Sequence, residues 1–258
     1  MHMIKLSGFI TVFVAAAFTA GCSPAAESHA SGASGSGAGA DAPAAASSSQ
    51  TKESKPMASE SVGDVLPAPK VDLPKAESDG NTKQAVFAGG CFWCTEAVFE
   101  QLEGVTEVTS GYCGGEADTA NYKAVCTGQT GHAEAIRITY DPSKITFGQL
   151  LRVHFATHDP TTLNRQGADR GTQYRSAIFY ANDEEKHVAE EYIKQLDEAK
   201  EFSSPIVTTL EPLNAFYPAE DYHQDYVKRN PWQPYVRGVA MPKVDKVQKK
   251  FPDQLKKP

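Results

Sequence analysis

A change in composition along the chain most limits what this sequence can fold into. Between residues 23 and 79 there is no aromatic residue, and Ala, Ser and Gly give way to Pro, Lys and Glu. Such a segment buries too little apolar surface to offset the entropy lost on ordering. We therefore predict a flexible tether over residues 22–81, one folded domain over residues 82–241 and a basic tail over residues 242–258.

The first residues have the pattern of a secretory signal, predicted over residues 1–21. Lys5 precedes an apolar run that is too short to span a membrane. Residues 19–22, Thr-Ala-Gly-Cys, resemble a bacterial lipoprotein signal, which implies lipid attachment at Cys22. The resemblance implies an extracytoplasmic protein anchored to a bacterial membrane, and the serine that follows favours the outer membrane facing the periplasm. Thr19 stands where this signal usually has leucine, so an ordinary cleaved secretory signal is the alternative.

Within the folded region, short strands mostly alternate with helices. Strands are predicted at Gln84–Ala88, Val105–Tyr112, His132–Tyr140, Ser176–Tyr180 and Ile206–Leu210. Helices are predicted at Phe92–Leu102, Phe147–Thr157, Glu184–Lys200 and Ala219–Lys228. This order predicts the α+β class, as a two-layer sandwich of a mixed β-sheet with helices that is ferredoxin-like in arrangement.

The charge balance excludes one class of partner. The chain has a net charge of -7 and a pI near 5.5, and it contains no basic stripe with interleaved aromatic residues. We therefore predict that it does not bind nucleic acid. The basic tail, which also contains Asp245 and Asp253, is predicted to be solvated.

Residues 89–96, Gly-Gly-Cys-Phe-Trp-Cys-Thr-Glu, join the first predicted strand to the first predicted helix. The two glycines let the backbone turn tightly, which places Cys91 at or near the start of the helix. The free N–H groups and the helix dipole favour an anion there, so we expect a lowered pKa and a nucleophilic thiolate at Cys91. Cys94, three residues later, is on the same face of the helix.

The folded region contains four cysteines, Cys91, Cys94, Cys113 and Cys126. Two structural disulfides are one option for an exported chain, and a zinc site is another. The first two cysteines would close only a very small loop, which suits redox exchange better than structural cross-linking. Because the sequence has a single Cys-x-x-Cys pair in this region, we predict that no metal is bound.

Together with its neighbours, the segment from Gly90 to Glu96 resembles the active-site segment of A-type peptide methionine sulfoxide reductases. Four further segments match that family in order, within residues 110–115, 130–134, 158–176 and 219–226. They span nearly the whole folded region. The resemblance implies an enzyme that reduces methionine sulfoxide, free or in proteins, and so restores oxidised methionine.

The same resemblance implies roles for individual residues. Cys91 is the expected nucleophile that attacks the sulfoxide sulfur, and Glu134 is the expected general acid that protonates the sulfoxide oxygen. An aromatic wall accepts a methyl group better than a polar oxygen, so it would select one epimer, expected to be the S epimer. Five residues are expected to bind the substrate: Phe92 and Trp93 at its S-methyl group, Tyr122 and Tyr174 at its oxygen, and Asp169 in the same site.

After the first half-reaction Cys91 would be a sulfenic acid, and a second thiol should condense with it to form an intramolecular disulfide. Some family members use cysteines in a C-terminal tail, but no cysteine follows Cys126 in this chain. Cys94 is the expected resolving cysteine, Cys113 is the runner-up, and Cys126 is expected to be a core thiol. The resemblance implies a thioredoxin-like protein as external thiol reductant, with no metal or organic cofactor.

Two other functions are open on the sequence alone. A thiol–disulfide oxidoreductase would use Cys91 and Cys94 as a thioredoxin-like pair, but it would have no use for Glu134. A tethered module that binds or senses methionine sulfoxide would use the aromatic residues without turnover. A C-terminal helix is expected at the edge of the site. It would carry Glu220, His223 and Tyr226, none of which is expected to be catalytic.

Overall fold

The structure is a computed structural model that describes residues 65–78 and 80–257. The predicted signal sequence, the expected lipid attachment site Cys22 and the predicted tether up to residue 64 lie outside the described residues. Within the residues that are described, no helix is both long enough and apolar enough to cross a membrane.

Strands and helices alternate along the described chain. The strands are β1 (Lys83–Gly89), β2 (Val105–Cys113), β3 (Ala133–Tyr140), β4 (Arg165–Gln166), β5 (Asp169–Arg170), β6 (Ser176–Tyr180), β7 (Thr209–Pro212) and β8 (Phe216–Pro218). The α-helices are α1 (Phe92–Phe99), α2 (Tyr122–Val125), α3 (Phe147–Thr157), α4 (Asp183–Glu198), α5 (Tyr226–Arg229) and α6 (Met241–Lys250). The predicted strands and the first three predicted helices therefore exist, with their ends shifted by a few residues.

Six of these strands form one mixed sheet in the order β7-β6-β1-β3-β2-β8, and β4 and β5 form a separate hairpin. All neighbours in the large sheet are antiparallel except β6 and β7. The central elements follow the chain order β1-α1-β2-β3-α3-β6, and the four strands lie in the order β6-β1-β3-β2. This is a ferredoxin-like arrangement, so the predicted α+β fold class is confirmed.

Local capping determines where two of the helices begin. Thr146 accepts a hydrogen bond from the N–H of Gln149, and the Gln149 side chain accepts one from the N–H of Thr146, which is a capping box. Asn182 caps α4 in the same way by accepting a hydrogen bond from the N–H of Glu185. The caps set the starts of α3 and α4, which pack against each other.

The two faces of the sheet are packed differently, because side chains alternate along each strand. On one face, here called the helix face, Phe87 packs against Phe99 of α1 at 6.0 Å and Phe147 of α3 at 5.8 Å between ring centroids. On the other, here called the opposite face, small side chains of β1, β3 and β6 pack with Cys113 and Phe179. The helices that carry the candidate site therefore cover only the helix face.

Residues 66–78, predicted as the last part of the tether, lie against α3 and α4. The Pro67 carbonyl accepts a hydrogen bond from the Tyr192 hydroxyl at 2.9 Å. The Asp72 carboxylate accepts one from the N–H of Gly148, in the first turn of α3, at 2.7 Å. An acidic side chain is favourable at a helix N-terminus. These specific polar contacts order a segment whose composition alone predicts flexibility.

The segment predicted as a solvated basic tail also packs on the domain. Helix α6 buries Val244 and Val247 and packs against α1 and α3, and Phe251 is buried after it. Spacings of three and four residues put these apolar side chains on one face of the helix, while lysines lie between them. The prediction of a solvated tail is therefore wrong, because a few well-spaced apolar residues outweigh the basic composition.

The last predicted helix, Ala219–Lys228, is broken. Only a 3₁₀ turn and the short helix α5 form there, and between them Asp225 has a positive φ of 52°. The Gln224 side chain turns inward and exchanges hydrogen bonds with the backbone N–H and carbonyl of Ser110 on β2. A tertiary contact replaces the helical pattern here, and it brings His223 towards α1.

Candidate active site

Cys91 lies at the N-cap position of α1, as the preceding glycine pair predicts. Gly90 has a positive φ of 92°, a conformation that favours glycine. A Cβ atom on Gly90 would come to 2.5 Å from the Gln166 side chain, so strand β4, which carries Gln166, lies directly on this corner. Backbone conformation and close approach therefore both require glycine before the cysteine.

The Cys91 and Cys94 thiols form a hydrogen-bonded pair. Burial, this hydrogen bond and the nearby Glu134 carboxylate raise the pKa of Cys91. The hydrogen bond from Cys91 lowers the pKa of Cys94 although burial opposes it, and the positive charge of Lys243 adds to the lowering. The expected lowered pKa of Cys91 is therefore not found, because burial outweighs the helix N-terminus. Cys94 is the more acidic of the two thiols.

Glu134 lies beside the start of α1. It is on β3, opposite Tyr112 of β2, and only 2% of its surface is exposed. Its Oε2 atom accepts a hydrogen bond from the backbone N–H of Phe92 at 3.1 Å. A free N–H group at the helix N-terminus thus holds the carboxyl group within electrostatic reach of Cys91. The structure brings together the two residues expected to carry the chemistry.

Phe92 and Trp93 form an aromatic wall beside the thiols. Phe92 is fully buried, with its ring centroid 5.0 Å from that of His223. Trp93 is half-buried, stacks on Tyr226 at 3.7 Å and donates a hydrogen bond from Nε1 to Nδ1 of His223 at 3.1 Å. Burial lowers the pKa of His223 to about 4, so its neutral ring can accept this bond near pH 7. His223 and Tyr226, expected only at the edge, orient the wall.

Glu220 connects Tyr122 to the sheet. The backbone N–H of Tyr122 donates a hydrogen bond to Oε1 of Glu220 at 3.0 Å, and the Tyr112 hydroxyl donates one to Oε2 at 2.8 Å. The half-buried Tyr122 ring lies 4.5 Å from the ring of His223. Glu220 therefore positions Tyr122 next to the aromatic wall.

Asp169 and Tyr235 lie on the side of the site nearest to Cys94. The Tyr235 hydroxyl donates a hydrogen bond to Oδ2 of Asp169 at 2.6 Å, and the Cys94 sulfur donates to the same hydroxyl at 3.9 Å. Tyr174 is buried after the hairpin that carries Asp169. Tyr235 was not predicted from the sequence, since it follows the last matched segment; its local signal is an aromatic residue in a proline-containing turn.

The family is decided by a sequence match over most of the folded region. The sequence model of a family described as peptide methionine sulfoxide reductase matches residues 83–255. The chain belongs to the peptide methionine sulfoxide reductase family. Membership confirms the predicted enzyme class, an oxidoreductase, and the match extends through α6, beyond the predicted end of the domain at residue 241.

Relatives and solved structures agree with this assignment. The reductase is 57% identical over 172 residues to peptide methionine sulfoxide reductase MsrA 1 of Rhodopirellula baltica, covering 67% of this chain and 88% of that protein. It is 56% identical over 174 residues to MsrA of Deinococcus radiodurans, covering 67% and 84%. Reduced Mxr1 of Saccharomyces cerevisiae superposes with a TM-score of 0.54 at 35% identity, covering 60% of this chain and 89% of that one. MsrA of Corynebacterium diphtheriae gives 0.53 at 34% identity, covering 67% and 88%.

The other two thiols of the reductase lie elsewhere. Cys113, at the end of β2, points to the opposite face of the sheet, where it packs among small side chains such as Ala133 and Ala135. Its sulfur donates a hydrogen bond to the Ala215 carbonyl at 3.1 Å, and burial raises its pKa to about 12. Cys126 is half-buried at the end of α2.

Disulfide bonds and metal clusters were the two structural alternatives for the cysteines. Among the described residues, no disulfide bond links Cys91, Cys94, Cys113 or Cys126. Nor does the described part of the reductase contain a group of three or more His, Cys, Asp or Glu side chains placed to hold a metal ion.

Proposed function

We propose that the reductase transfers the oxygen of methionine sulfoxide to Cys91. The Cys91 sulfur attacks the sulfoxide sulfur, so that an S–S bond forms and the sulfoxide oxygen takes up a proton. The oxygen then forms a bond to the Cys91 sulfur while the S–O bond of the substrate and the new S–S bond both break, and methionine leaves as a thioether. Cys91 gives up two electrons and becomes a sulfenic acid that retains the oxygen. One observation carries this proposal: the Cys91 thiol and the Glu134 carboxyl group converge at the start of α1.

We assign to Glu134 the proton transfer that this step requires. Because the pKa of Cys91 is raised, its thiol is protonated in the free enzyme. The attacking sulfur must lose a proton while the sulfoxide oxygen gains one. Glu134 is held beside Cys91 by the N–H of Phe92, so it can take the thiol proton as a base and deliver it to the oxygen as an acid.

The aromatic wall supports selection of the S epimer. A substrate methyl group lies more favourably than an oxygen against Phe92 and the half-exposed indole of Trp93. We place the sulfoxide oxygen on the other side, towards Glu134 and the hydroxyl groups of Tyr122 and Tyr174. With the methyl group and the oxygen both constrained, only one configuration at sulfur presents its free side to Cys91.

Asp169 is assigned to the substrate site on the side of Cys94. It is half-buried and accepts the hydrogen bond from Tyr235, whose hydroxyl also contacts the Cys94 sulfur. The pair connects the loop around the β4-β5 hairpin to the segment before α6. We propose that Asp169 binds the substrate indirectly, by holding the Tyr235 hydroxyl at the pocket wall.

We propose Cys94 as the resolving thiol. Its thiolate attacks the Cys91 sulfur, a disulfide bond forms, and the S–O bond of the sulfenic acid breaks. The departing oxygen takes up the proton that the Cys94 thiol released and leaves as water. Two features support Cys94: it is hydrogen-bonded to Cys91, and its lowered pKa increases the thiolate fraction at neutral pH. Cys113 points to the opposite face of the sheet, which makes it less suitable.

A dithiol protein with a thioredoxin fold would return the enzyme to its reduced state. One of its thiols attacks the Cys91–Cys94 disulfide, and its second thiol then displaces the enzyme, so that the reductant leaves as a disulfide. No metal or organic cofactor enters this cycle. The sequence of residues 1–22 supports export and lipid attachment at Cys22. We therefore place the enzyme, its reductant and its oxidised protein substrates outside the cytoplasm.

A single-turnover reaction tests the proposal. Reduced protein, freed of reductant, is mixed with an excess of a peptide that contains methionine-S-sulfoxide, and its cysteine peptides are mapped by mass. We expect one sulfoxide consumed per chain and a Cys91–Cys94 disulfide. The matched R-epimer peptide should be left unreduced, and Cys91→Ser should consume no sulfoxide.

Each other outcome has a defined meaning. Sulfoxide consumption by Cys91→Ser, or none by the wild-type protein, would contradict the proposed reaction. A Cys91–Cys113 disulfide would leave the reaction in place and reassign the resolving thiol. Reduction of insulin without loss of sulfoxide would favour the thiol–disulfide oxidoreductase.

A further inference from the structure

The C-terminal segment carries a charge opposite to that of the rest of the chain. Residues 236–257 contain seven Lys and Arg residues and two acidic residues, a formal net charge of +5. The whole chain carries -7, so the remainder has a formal charge of -12. Such a separation creates a positive field at one place on an otherwise acidic protein.

The cations of this segment are not neutralised within the domain. Among the described residues, none of the seven is in an ion pair, whereas Lys228, just before the segment, pairs with Glu100 and Asp225. Partial burial, followed by the charges of Lys250 and Lys243, lowers the pKa of Lys246. Like charges therefore repel one another here, and a negatively charged partner would relieve that repulsion.

Helix α6 places these charges next to the thiol pair. Its apolar side packs towards α1 and α3, and Lys246 and Lys249 are exposed. Lys243, one turn earlier, lies close enough for its charge to lower the pKa of Cys94. The positive surface of α6 that comprises Lys243, Lys246, Lys249 and Lys250, here called the basic face, therefore continues to the proposed redox centre.

We propose that the basic face is the docking surface for the protein that reduces the Cys91–Cys94 disulfide, and that this partner has an acidic surface around its own dithiol. The proposal rests on the proposed function, in which a protein dithiol must reach these cysteines. Attraction between opposite charges raises the rate of encounter and orients the partner. Exposed Trp232 and Met241 precede the basic face and offer apolar contacts of the kind common in interface cores.

An anionic lipid surface would also be attracted to lysines. The position of the basic face favours the protein partner. A protein that reduces the disulfide must approach Cys94, whereas binding to a membrane would not require the cations to lie near that thiol. The apolar side of α6 is packed against the domain and is therefore not available for insertion into lipid.

Steady-state kinetics with two reductants test the proposal. At saturating sulfoxide peptide, kcat/KM is measured for a bacterial thioredoxin of net negative charge and, in parallel, for dithiothreitol. The test variant is Lys246→Glu with Lys249→Glu. The control variant is Lys194→Glu with Lys200→Glu, which changes the same charge at exposed positions in and after α4.

We expect the test variant to lower kcat/KM for thioredoxin about tenfold at low ionic strength, and the control to change it less than about twofold. About 0.5 M salt should remove the difference, because it screens long-range attraction. Dithiothreitol carries no charge to steer, so its kinetics should be the same in all three proteins.

Three results would overturn the proposal. One is equal thioredoxin kinetics in the test and control variants. Another is an equal fall with dithiothreitol, since the lysines would then act on the thiol pair and not on a partner. A third is salt-sensitive binding to anionic phospholipid vesicles that the test variant loses while its thioredoxin kinetics stay unchanged, which would assign the basic face to a membrane. A wild-type protein inactive with dithiothreitol would instead contradict the proposed function itself.

Discussion

Cys94 and Cys113 are both buried thiols, but they lie on opposite faces of the central sheet. Their exposed fractions are 0% and 1%. Cys94 is hydrogen-bonded to Cys91, which lowers its pKa, and Lys243 adds to the effect. Cys113 packs among small apolar side chains, and burial raises its pKa to about 12. Burial alone therefore does not determine the pKa of a thiol; the neighbouring hydrogen bonds and charges contribute as well.

Strand alternation explains why Cys113 is excluded from the site. Tyr112, one residue earlier on β2, points to the helix face, where its ring contacts Phe92 and its hydroxyl contacts Glu220. Neighbouring residues of a strand point to opposite faces, so Cys113 must point away. A shift of one residue in the β2 register would exchange the two side chains.

The largest expected effect is at Glu134, which lies on the helix face of the sheet. Glu134→Gln keeps the shape of the side chain but cannot transfer a proton, so we expect kcat to fall about 10²- to 10⁴-fold. Glu107→Gln, at an exposed position on β2, is the matched control and should retain activity. Steady-state reduction of a methionine-S-sulfoxide peptide with dithiothreitol measures both. A fully active Glu134→Gln enzyme would remove Glu134 from the mechanism.

The second test replaces Cys94 and Cys113 by serine, one at a time. Cys94→Ser should still consume one sulfoxide per chain in a single turnover, but thioredoxin-supported turnover should fall about 100-fold or more, because no disulfide can form. Cys113→Ser should stay within about twofold of wild type in both assays. If instead Cys113→Ser loses thioredoxin-supported turnover and Cys94→Ser keeps it, the assignment of the two faces is reversed.

The third test measures how much the ionised carboxyl group of the buried Glu96, on the helix face, destabilises the fold. Burial raises the pKa of this carboxyl group to about 7, whereas an unfolded chain releases the proton near pH 4.3. The folded state binds the proton more tightly, so stability falls as the pH rises from about 4.3 to about 7. Glu96→Gln removes this loss and should raise the free energy of unfolding by roughly 3–4 kcal/mol at pH 8, with little change at pH 4.

Urea unfolding at the two pH values measures the effect of Glu96→Gln. Glu191→Gln, at a half-buried position on α4 where burial of the charge is less complete, is a useful comparison. An equal gain for Glu96→Gln at pH 4 and pH 8 would show that packing, and not ionisation, is responsible.

The smallest expected effect lies in segment 66–78, where Asp72 contacts the first turn of α3 and takes no part in the thiol site. Asp72→Ala removes an acceptor at the helix N-terminus and should cost about 1 kcal/mol of stability without changing activity. Gly148→Ala should also destabilise, because its Cβ would approach Cγ of Asp72 to 2.5 Å.

A double-mutant cycle separates the contact between Asp72 and Gly148 from the effect of helix propensity at residue 148. In the Asp72→Ala background the collision is absent, so Gly148→Ala should stabilise by about 0.5–1 kcal/mol through its helix propensity. Urea unfolding of the four proteins measures the coupling. Additive effects would show that Asp72 does not bind Gly148 in solution.

The features that could be predicted from the sequence are those specified by residues close together in the chain. The start of α3 depends on Thr146 and Gln149, and the corner at Cys91 depends on the glycine pair before it, so a few adjacent residues specify each one. The order of strands and helices followed from the same kind of local pattern. The segment 66–78 was harder to predict, because its order depends on contacts with Tyr192 and Gly148, which are distant in the chain.

By itself, the sequence determined the α+β order of elements and the placement of Cys91 at a strand-to-helix corner, because backbone turns and side-chain periodicity act over a few residues. Only the tertiary structure decided which thiol of the Cys91–Cys94 pair is the more acidic. The groups responsible are far apart in sequence: Glu134 is 42 positions from Phe92, and Tyr235 is 141 positions from Cys94. Burial and hydrogen bonding set these pKa values, and both exist only once the chain has folded.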